Sequence, residues 1–340
     1  MFRSFVAGAL AFLLLAPALA ARPVPAADNY GARPEIREFA DEVAARRGFD
    51  RAWVMLQLSQ AQRLASVQRL MLPAPAGTPK NWNAYRERFV EPRRIAAGVA
   101  FWRSNEEALQ RAESIWGVPP EIVVGIIGVE TYFGRLMGRF RVLDALATLA
   151  FDYPGARPER AAFFRSELEE FLVYCRHEGL DPTQPTGSFA GAMGIPQFMP
   201  SSINRYAVDF EGSGHVDLAK SSADAIGSVA HFLSESGWQR GLPTHFAVTA
   251  PSALMQRAQL LVPDIRPTFS PAQFTEHGAV LEDAARGYAR PLALVELENG
   301  GDAPSYVAGT ENFYAITRYN RSSYYAMAVI SLGEAIQRAR

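Results

Sequence analysis

Apolar residues recur at helical spacing along most of this chain, and that periodicity restricts the fold more than any other feature. Such spacing runs through Ile36, Phe39 and Val43 and again from Val54 to Leu70, where it predicts two helices because it gathers apolar side chains on one face. Further helical sequence is predicted over 85–116, from Pro119 towards Glu130, and over 143–151, 160–178, 200–207, 222–236 and 323–339. The chain is therefore expected to be mainly α-helical.

The pattern changes between Thr244 and Asn320. Short apolar runs at 246–248, 292–297 and 314–316 are separated by Gly, Pro and Asn, which is typical of strands and turns. We expect a small β-containing insertion in this part of the chain.

The N-terminus has the composition of an export signal. Arg3 precedes an apolar run over residues 5–15, and Ala18, Leu19 and Ala20 offer the small residues of a cleavage site. Pro17 interrupts the run, which is shorter than the ~20 residues of a spanning helix, so we expect cleavage after Ala20 rather than an uncleaved anchor. The residue directly after the expected cleavage site is Ala21 and not a cysteine, so the mature chain is expected to be free of a lipid anchor there and soluble in an exported compartment.

Charge and cysteine content exclude several classes of function. The formal charge of -1 provides no global field that would hold a nucleic acid. The single cysteine, Cys175, excludes disulfide frameworks and thiolate clusters, and we expect it to be buried. The five histidines lack metal-ligand spacing, and neither a phosphate-binding glycine loop nor a nucleophile elbow is present.

Glu130 is the unusual carboxylate. It ends the apolar run 122–129 and precedes the sequence TYFGR at 131–135. Among apolar and aromatic neighbours a carboxyl group loses hydration of its charged form, so its pKa rises towards that of a general acid. The alternative is a helix-end glutamate paired with Arg135 or Arg139, and on spacing alone that arrangement is the commoner one.

A second segment, Gly187 to Ser201, contains no charged residue. Small residues alternate there with apolar and neutral hydrogen-bonding side chains, which suits the wall of a site for a neutral, hydroxyl-rich ligand such as a sugar. The alternative is a buried loop whose Ser and Gln side chains satisfy backbone groups.

These two segments resemble a known family. GVETYFGR at 128–135 and GSFAGAMGIPQFMPSS at 187–202 are similar to the lytic transglycosylase B family, the MltB-type murein transglycosylases of bacterial cell-wall turnover. Residues 85–89, 224–230 and 312–320 match the same family in the same order, and the similarity runs from about Phe39 to the C-terminus.

The resemblance implies a mainly α fold with a lysozyme-like helical core, an N-terminal helical part and a small β-containing subdomain. The corresponding boundaries are 1–20 for the signal peptide, 21–84 for the N-terminal part, 85–243 for the catalytic core, 244–310 for the insertion and 311–340 for a segment that returns to the cleft. It also implies a periplasmic enzyme that acts on peptidoglycan glycan strands and requires no cofactor. Some relatives are lipoproteins, but without a cysteine at the cleavage site no stable membrane anchor is expected here, and the charge balance predicts no nucleic-acid partner.

By the same resemblance, Glu130 matches the catalytic glutamate. The positions expected to contact the glycan are Ser188, Gln197, Tyr85, Tyr319, Asn320, Tyr325 and Arg160. Arg160 is the weakest of these, because the segment before it is longer than in relatives, and Arg157 is the alternative.

The reaction implied by the resemblance needs one carboxyl group, whereas most glycosidases use two. We hypothesise that Glu130 protonates the glycosidic oxygen, that the 2-acetamido group assists, and that Glu130 then activates the C6 hydroxyl to close a 1,6-anhydro ring. A lysozyme-type hydrolase and a non-catalytic peptidoglycan-binding protein remain as alternatives.

Residues 209–217 partly follow the EF-hand calcium loop, with Gly214 at the sharp-turn position. Lys220 stands at loop position 12, where the bidentate glutamate belongs, so a standard site is not expected. The family carries a late ligand that matches Asp224, and the candidate ligands of a weak, structural calcium ion are Asp209, Glu211, Ser213, His215 and Asp224. An Asp- and Gly-rich turn without a metal is equally compatible.

Overall fold

The computed structural model describes residues 30–73, 77 and 79–340, and the expected signal peptide, residues 1–20, lies outside the described residues. The predicted mainly α fold is confirmed. The helices are α1 Pro34–Arg47, α2 Arg51–Ser59, α3 Ala65–Leu70, α4 Trp82–Glu87, α5 Pro92–Ser104, α6 Glu106–Trp116, α7 Pro120–Thr131, α8 Val142–Phe151, α9 Pro158–His177, α10 Pro200–Tyr206, α11 Ser222–Glu235, α12 Leu254–Leu261, α13 Pro271–Glu276, α14 Asp283–Arg286, α15 Glu311–Thr317 and α16 Ser323–Ala339.

The strands form two antiparallel sheets. They are β1 Phe140–Arg141, β2 Thr186–Gly187, β3 His245–Thr249, β4 Val280–Leu281, β5 Ala293–Asn299 and β6 Asp302–Gly309. β1 pairs with β2, with Phe140 opposite Gly187, and the other four form a sheet in the order β4-β3-β6-β5. The short β1–β2 pair fixes the start of the uncharged segment next to the chain that follows α7.

The centre of the molecule is the crossing of α7 and α16. α7 is buried on nearly all sides, as its continuous apolar sequence requires. A Cβ atom on Gly125 would lie 2.3 Å from the Val329 carbonyl oxygen, and one on Gly333 would lie 2.1 Å from that of Glu121. The two backbones therefore touch, and only glycine permits this approach. The crossing places the end of α7, with Glu130, beside the start of α16.

Strand β5 lies between two hydrophobic cores. Val295 and Leu297 belong to the main core with the helices. Leu294 packs in a separate cluster with Phe246 and Phe274. Alternate side chains of a strand point to opposite faces, so this single strand joins the β-containing region to the helical body.

Five predicted helices, at 143–151, 160–178, 200–207, 222–236 and 323–339, are confirmed as α8, α9, α10, α11 and α16, within two residues at each end. The prediction of one helix from Val54 to Leu70 was wrong. The chain breaks after α2, and the N–H groups of Gln62 and Leu64 bond instead to the side chains of Asp144 (3.0 Å) and Thr148 (2.9 Å) on α8. Buried polar side chains from a distant helix thus replace the helical bonds.

The apolar run 314–316 was also misassigned to the β-containing region, because it lies within α15. Thr310 caps this helix by accepting the N–H of Asn312 at 3.1 Å, and Phe313 and Ile316 are fully buried. A three-residue apolar run does not distinguish a strand from a buried helical turn. Helices α12 to α14 lie in the same region and were not predicted.

Among the described residues, none of the helices alone has the length and apolar character of a membrane span. Helices α6 and α7 pass that test only when taken together, and the chain bends by 116° between them.

Candidate active site

Glu130 lies in the last turn of α7, and the chain leaves that helix abruptly. Tyr132 and Phe133 have φ values of 52° and 58° and Gly134 follows at 82°, so three successive residues adopt a left-handed conformation that is unfavourable for side chains other than glycine. Such strain persists only where surrounding contacts hold it. Glu130, two residues before this turn, is half-buried.

The Glu130 carboxyl group bonds to a tyrosine and not to a cation. The Tyr325 hydroxyl donates to Glu130 Oε1 at 2.6 Å. Burial raises the pKa of Glu130 to about 7, and the Tyr325 hydrogen bond opposes this rise. Neither Arg135 nor Arg139 pairs with it, and the Arg135 guanidinium lies 5.1 Å from the centre of the Tyr132 ring. The geometry favours a carboxylic acid that is protonated near neutral pH over a helix-end ion pair.

Three predicted tyrosines surround this carboxyl group. Burial, and then the charge of Glu130, raise the pKa values of Tyr85, Tyr319 and Tyr325. The rings of Tyr319 and Tyr325 are nearly parallel, with centroids 6.2 Å apart and an interplanar angle of 16°. Aromatic side chains of this kind shield the carboxyl group from water.

Ser188 and Gln197 lie in the uncharged loop and are partly used by it. Ser188 Oγ accepts the N–H groups of Ala190 and Ala192, at 3.3 and 3.1 Å. Gln197 Nε2 donates to the carbonyl oxygens of Met137 and Gly194, at 3.1 and 2.9 Å. The Ser188 hydroxyl hydrogen and Gln197 Oε1 have no partner among the described residues, so both stay available to a ligand.

The other two predicted contact residues differ in placement. Asn320 is exposed in the turn between α15 and α16, directly after Tyr319. Arg160 lies in the first turn of α9, with its guanidinium 5.5 Å from the centres of the Phe163 and Phe164 rings. No contact among the described residues connects Arg160 to Glu130 or to the uncharged loop.

Two further residues hold the C-terminal end of α7 and were not identified in the sequence. Thr131 is fully buried; its Oγ1 donates to the Ile195 carbonyl oxygen at 2.8 Å and accepts the Gly134 N–H at 3.0 Å. Arg94 Nη1 donates to the Gly128 carbonyl oxygen at 2.7 Å. The position of Thr131 beside Glu130 was a usable signal, whereas Arg94 on α5 has no local one.

The EF-hand-like loop gathers oxygen atoms around Ser213. Ser213 Oγ lies 3.5 Å from Asp209 Oδ1 and 3.0 Å from the His215 carbonyl oxygen, a grouping that fits a small oxygen-binding cation. Asp224 is fully buried, and its carboxylate accepts the backbone N–H groups of residues 210, 211 and 217, each at 2.8 Å. Among the described residues, no group of three or more His, Cys, Asp or Glu side chains has the arrangement of a metal site. The Asp209 carboxylate likewise accepts the backbone N–H groups of Gly212, Ser213 and Gly214, at 2.8, 2.9 and 2.6 Å.

Comparison with known proteins gives consistent matches over most of the chain. A family model described as the transglycosylase SLT domain matches residues 31–334. The membrane-bound lytic murein transglycosylase B of Escherichia coli K12 is 44% identical over 320 residues, which cover 92% of this chain and 85% of that protein.

Solved structures of lytic transglycosylases are also similar to this chain. The E. coli lytic transglycosylase Slt35 in complex with bulgecin A has a TM-score of 0.80 at 44% identity, covering 91% of this chain and 94% of that one; Slt35 has also been solved in complex with calcium. The soluble lytic transglycosylase SltB1 of Pseudomonas aeruginosa has a TM-score of 0.80 at 41% identity. The match covers 90% of this chain and 99% of SltB1.

Proposed function

This chain belongs to the transglycosylase SLT domain family, and from that membership we propose that Glu130 is the single acid and base of its reaction. The protein is a lytic transglycosylase that acts on peptidoglycan. The bond broken joins N-acetylmuramic acid to N-acetylglucosamine, and the product carries a 1,6-anhydro ring.

The observation that carries this proposal is the isolation of the Glu130 carboxyl group. Only burial and the Tyr325 hydroxyl perturb its pKa, which rises to about 7, and no second carboxyl group in the described part of the chain acts on it. Glycosidases with a protein nucleophile or base place two carboxyl groups about 5–10 Å apart. A lone, protonated carboxyl group suits a reaction in which the substrate supplies the nucleophile.

In the first step Glu130 donates its proton to the glycosidic oxygen as the bond from that oxygen to the anomeric carbon breaks. The 2-acetamido oxygen of the muramoyl residue bonds to the anomeric carbon and takes up the developing positive charge. Glu130 is now ionised, and the Tyr325 hydroxyl at 2.6 Å stabilises its charge, because hydrogen bonds to charged acceptors are stronger than those to neutral ones.

In the second step the ionised Glu130 takes the proton of the muramoyl C6 hydroxyl. The C6 oxygen attacks the anomeric carbon and displaces the acetamido oxygen, which closes the anhydro ring and returns Glu130 to its protonated form. Ring closure is faster than hydrolysis when the C6 hydroxyl is held close to the anomeric carbon and water is excluded. The buried Tyr325 and the half-buried Tyr85 and Tyr319 around Glu130 support that exclusion.

The glycan is oriented by neutral hydrogen-bonding groups. The free Oε1 of Gln197, the Ser188 hydroxyl and the exposed Asn320 amide are proposed to bind acetamido and hydroxyl groups, and Tyr85 and Tyr319 to pack against the sugar rings. Arg160 is not assigned a contact near the reacting bond, since its guanidinium packs on the α9 phenylalanines.

The test is product analysis with purified sacculi. Glu130→Gln should retain binding to sacculi and release anhydro-muropeptides at least about a hundredfold more slowly, as expected for loss of a general acid. Glu121→Gln, the same change in the first turn of the same helix, should remain active. Anhydro products from Glu130→Gln at the unaltered rate would contradict the role of Glu130, and reducing ends in place of anhydro ends would identify a hydrolase.

We also propose that the enzyme works in the periplasm, where its substrate lies, after removal of residues 1–20. Cell fractionation with N-terminal sequencing of the exported form tests this. A mature chain that begins at Ala21 is expected, and an intact Met1 in the exported fraction would contradict it.

For the EF-hand-like loop we propose weak calcium binding by Asp209, Ser213 and the His215 carbonyl oxygen, with a structural role only. A bound calcium ion would neutralise Asp209 and stiffen the loop. Its site draws on one carboxylate, so a small rise in melting temperature at millimolar calcium is expected, and Asp209→Asn should abolish it. A rise that persists in Asp209→Asn would place the ion elsewhere.

A further inference from the structure

Arg94 on α5 contacts the chain on both sides of Glu130. Its Nη1 donates to the Gly128 carbonyl oxygen at 2.7 Å, two residues before Glu130 on α7. Its guanidinium carbon lies 4.7 Å from the centre of the Tyr132 ring, two residues after Glu130. A cation is attracted to the face of an aromatic ring. One side chain therefore holds both the last turn of α7 and the residue at which the chain leaves that helix.

The backbone that Arg94 holds is strained. Tyr132 has a φ of 52°, a left-handed conformation that costs free energy in a residue other than glycine and persists only where neighbours hold it. The Gly128 carbonyl oxygen accepts the Tyr132 N–H at 3.2 Å, which closes the turn, and the Arg94 bond is the second on the same oxygen. The position of Glu130 between these two residues thus depends on Arg94.

This arrangement is costly for the fold. Arg94 Nε is buried and has no hydrogen-bond partner among the described residues, and an unpaired buried donor lowers stability. Burial also lowers the pKa of the Arg94 guanidinium group, because its charge is partly removed from water. Local costs of this kind are typical of functional sites, which points to a benefit in activity.

We infer that Arg94 is a positioning residue for Glu130. It fixes residues 128 and 132, and so keeps the carboxyl group where it can protonate the glycosidic oxygen. The inference rests on the proposed function, in which Glu130 is the single acid and base. A displacement of about 1 Å at a reacting group lowers a rate by up to about a hundredfold, so loss of Arg94 should reduce kcat and leave KM unchanged.

The experiment replaces Arg94 by methionine, an unbranched side chain that neither donates a hydrogen bond nor carries a charge. On soluble peptidoglycan strands Arg94→Met should lower kcat by about tenfold to a hundredfold. Its melting temperature should change little, because removal of the unpaired Nε offsets the lost bond to Gly128. The alkaline limb of kcat should stay in place, since burial and the Tyr325 hydroxyl set the pKa of Glu130. Arg93→Met, at the adjacent exposed position on α5, is the matched control and should keep the natural kcat.

A second variant, Arg94→Ala, leaves space for a free guanidinium ion. Ethylguanidinium at millimolar concentration should restore kcat of Arg94→Ala in a saturable manner. Ethylammonium has no planar group to stack on Tyr132 and should restore much less. Neither ion should raise kcat of the natural protein or of Arg93→Met.

An unchanged kcat in Arg94→Met would overturn the inference, as would a loss that Arg93→Met shares or an alkaline limb that moves. Activity that falls only with the amount of folded protein, without recovery in ethylguanidinium, would show that Arg94 is structural alone. Glu130→Gln separates these outcomes from the proposed function. If Glu130→Gln forms anhydro products at the natural rate, the proposed function fails; if it is inactive while Arg94→Met is fully active, only the positioning role fails.

Discussion

Replacing Glu130 by glutamine should make the protein more stable at neutral and alkaline pH, and the size of the effect follows from its buried carboxyl group. Burial raises the pKa of Glu130 from 4.5 to about 7, so the folded protein holds this proton more tightly than the unfolded chain does. Below about pH 4.5 the carboxyl group is neutral in both states. As the pH rises from 4.5 to 7, the unfolded chain ionises first and the free energy of unfolding falls.

At about 1.4 kcal/mol per pH unit, the difference between 4.5 and about 7 amounts to roughly 3 kcal/mol. Glu130 keeps a partly exposed face, and solvent screening reduces this to about 2 kcal/mol. For a chain of this size that corresponds to roughly 3 °C in melting temperature. Glutamine does not ionise and can still accept the Tyr325 hydrogen bond. The free energy of unfolding of Glu130→Gln should therefore not show this loss as the pH rises.

The assay is thermal unfolding of both proteins between pH 4 and pH 8.5. The melting temperature of Glu130→Gln minus that of the natural protein should rise by roughly 3 °C across pH 4.5 to 7 and then level off. Glu107→Gln, at an exposed position on α6, should give a difference that does not vary with pH. A constant or falling difference for Glu130→Gln would refute the assignment of a buried, protonated carboxyl group.

Three further outcomes are expected. Tyr325→Phe removes the hydrogen bond that lowers the pKa of Glu130, so the alkaline limb of kcat/KM should move to higher pH and kcat should fall roughly tenfold or more; an alkaline limb that moves down would contradict this. In Gly125→Ala the new methyl group would clash with the backbone of α16, so the free energy of unfolding should fall by about 1–3 kcal/mol in urea titrations. Gly301 lies in open space, and Gly301→Ala should change that free energy by less than about 0.5 kcal/mol. Asp224→Asn should lower the melting temperature equally with calcium and with a chelator, because its carboxylate binds backbone N–H groups; protection by calcium would argue that it is a ligand.

The stability effect and the catalytic role that we propose for Glu130 both depend on the same buried carboxyl group. The folded protein tolerates a buried acid that is protonated near neutral pH, and that protonation state is the one a general acid requires. The crossing of α7 and α16 provides this arrangement because it brings Tyr325 within 2.6 Å of Glu130. A substitution that separates the two helices should therefore lower activity before it unfolds the protein.

Most of the long helices and the unusual carboxylate could be predicted from the amino-acid sequence. Periodic apolar residues predict α8, α9, α10, α11 and α16, since amphipathic spacing is a local property of the chain. The continuous apolar run before Glu130 likewise predicts a buried helix end and a raised pKa. The roles of Ser188, Gln197 and the other contact residues stay predictions, because no ligand contact tests them.

Which distant groups meet became clear only from the folded molecule. Tyr325 is 195 residues from Glu130, and the break between α2 and α3 depends on side chains of α8. Arg88 and Arg321 look like ordinary surface charges in the sequence, yet both line one cavity together with Tyr85. Contacts between residues far apart in the chain depend on how whole helices and strands pack. The local spacing of apolar residues does not predict that packing.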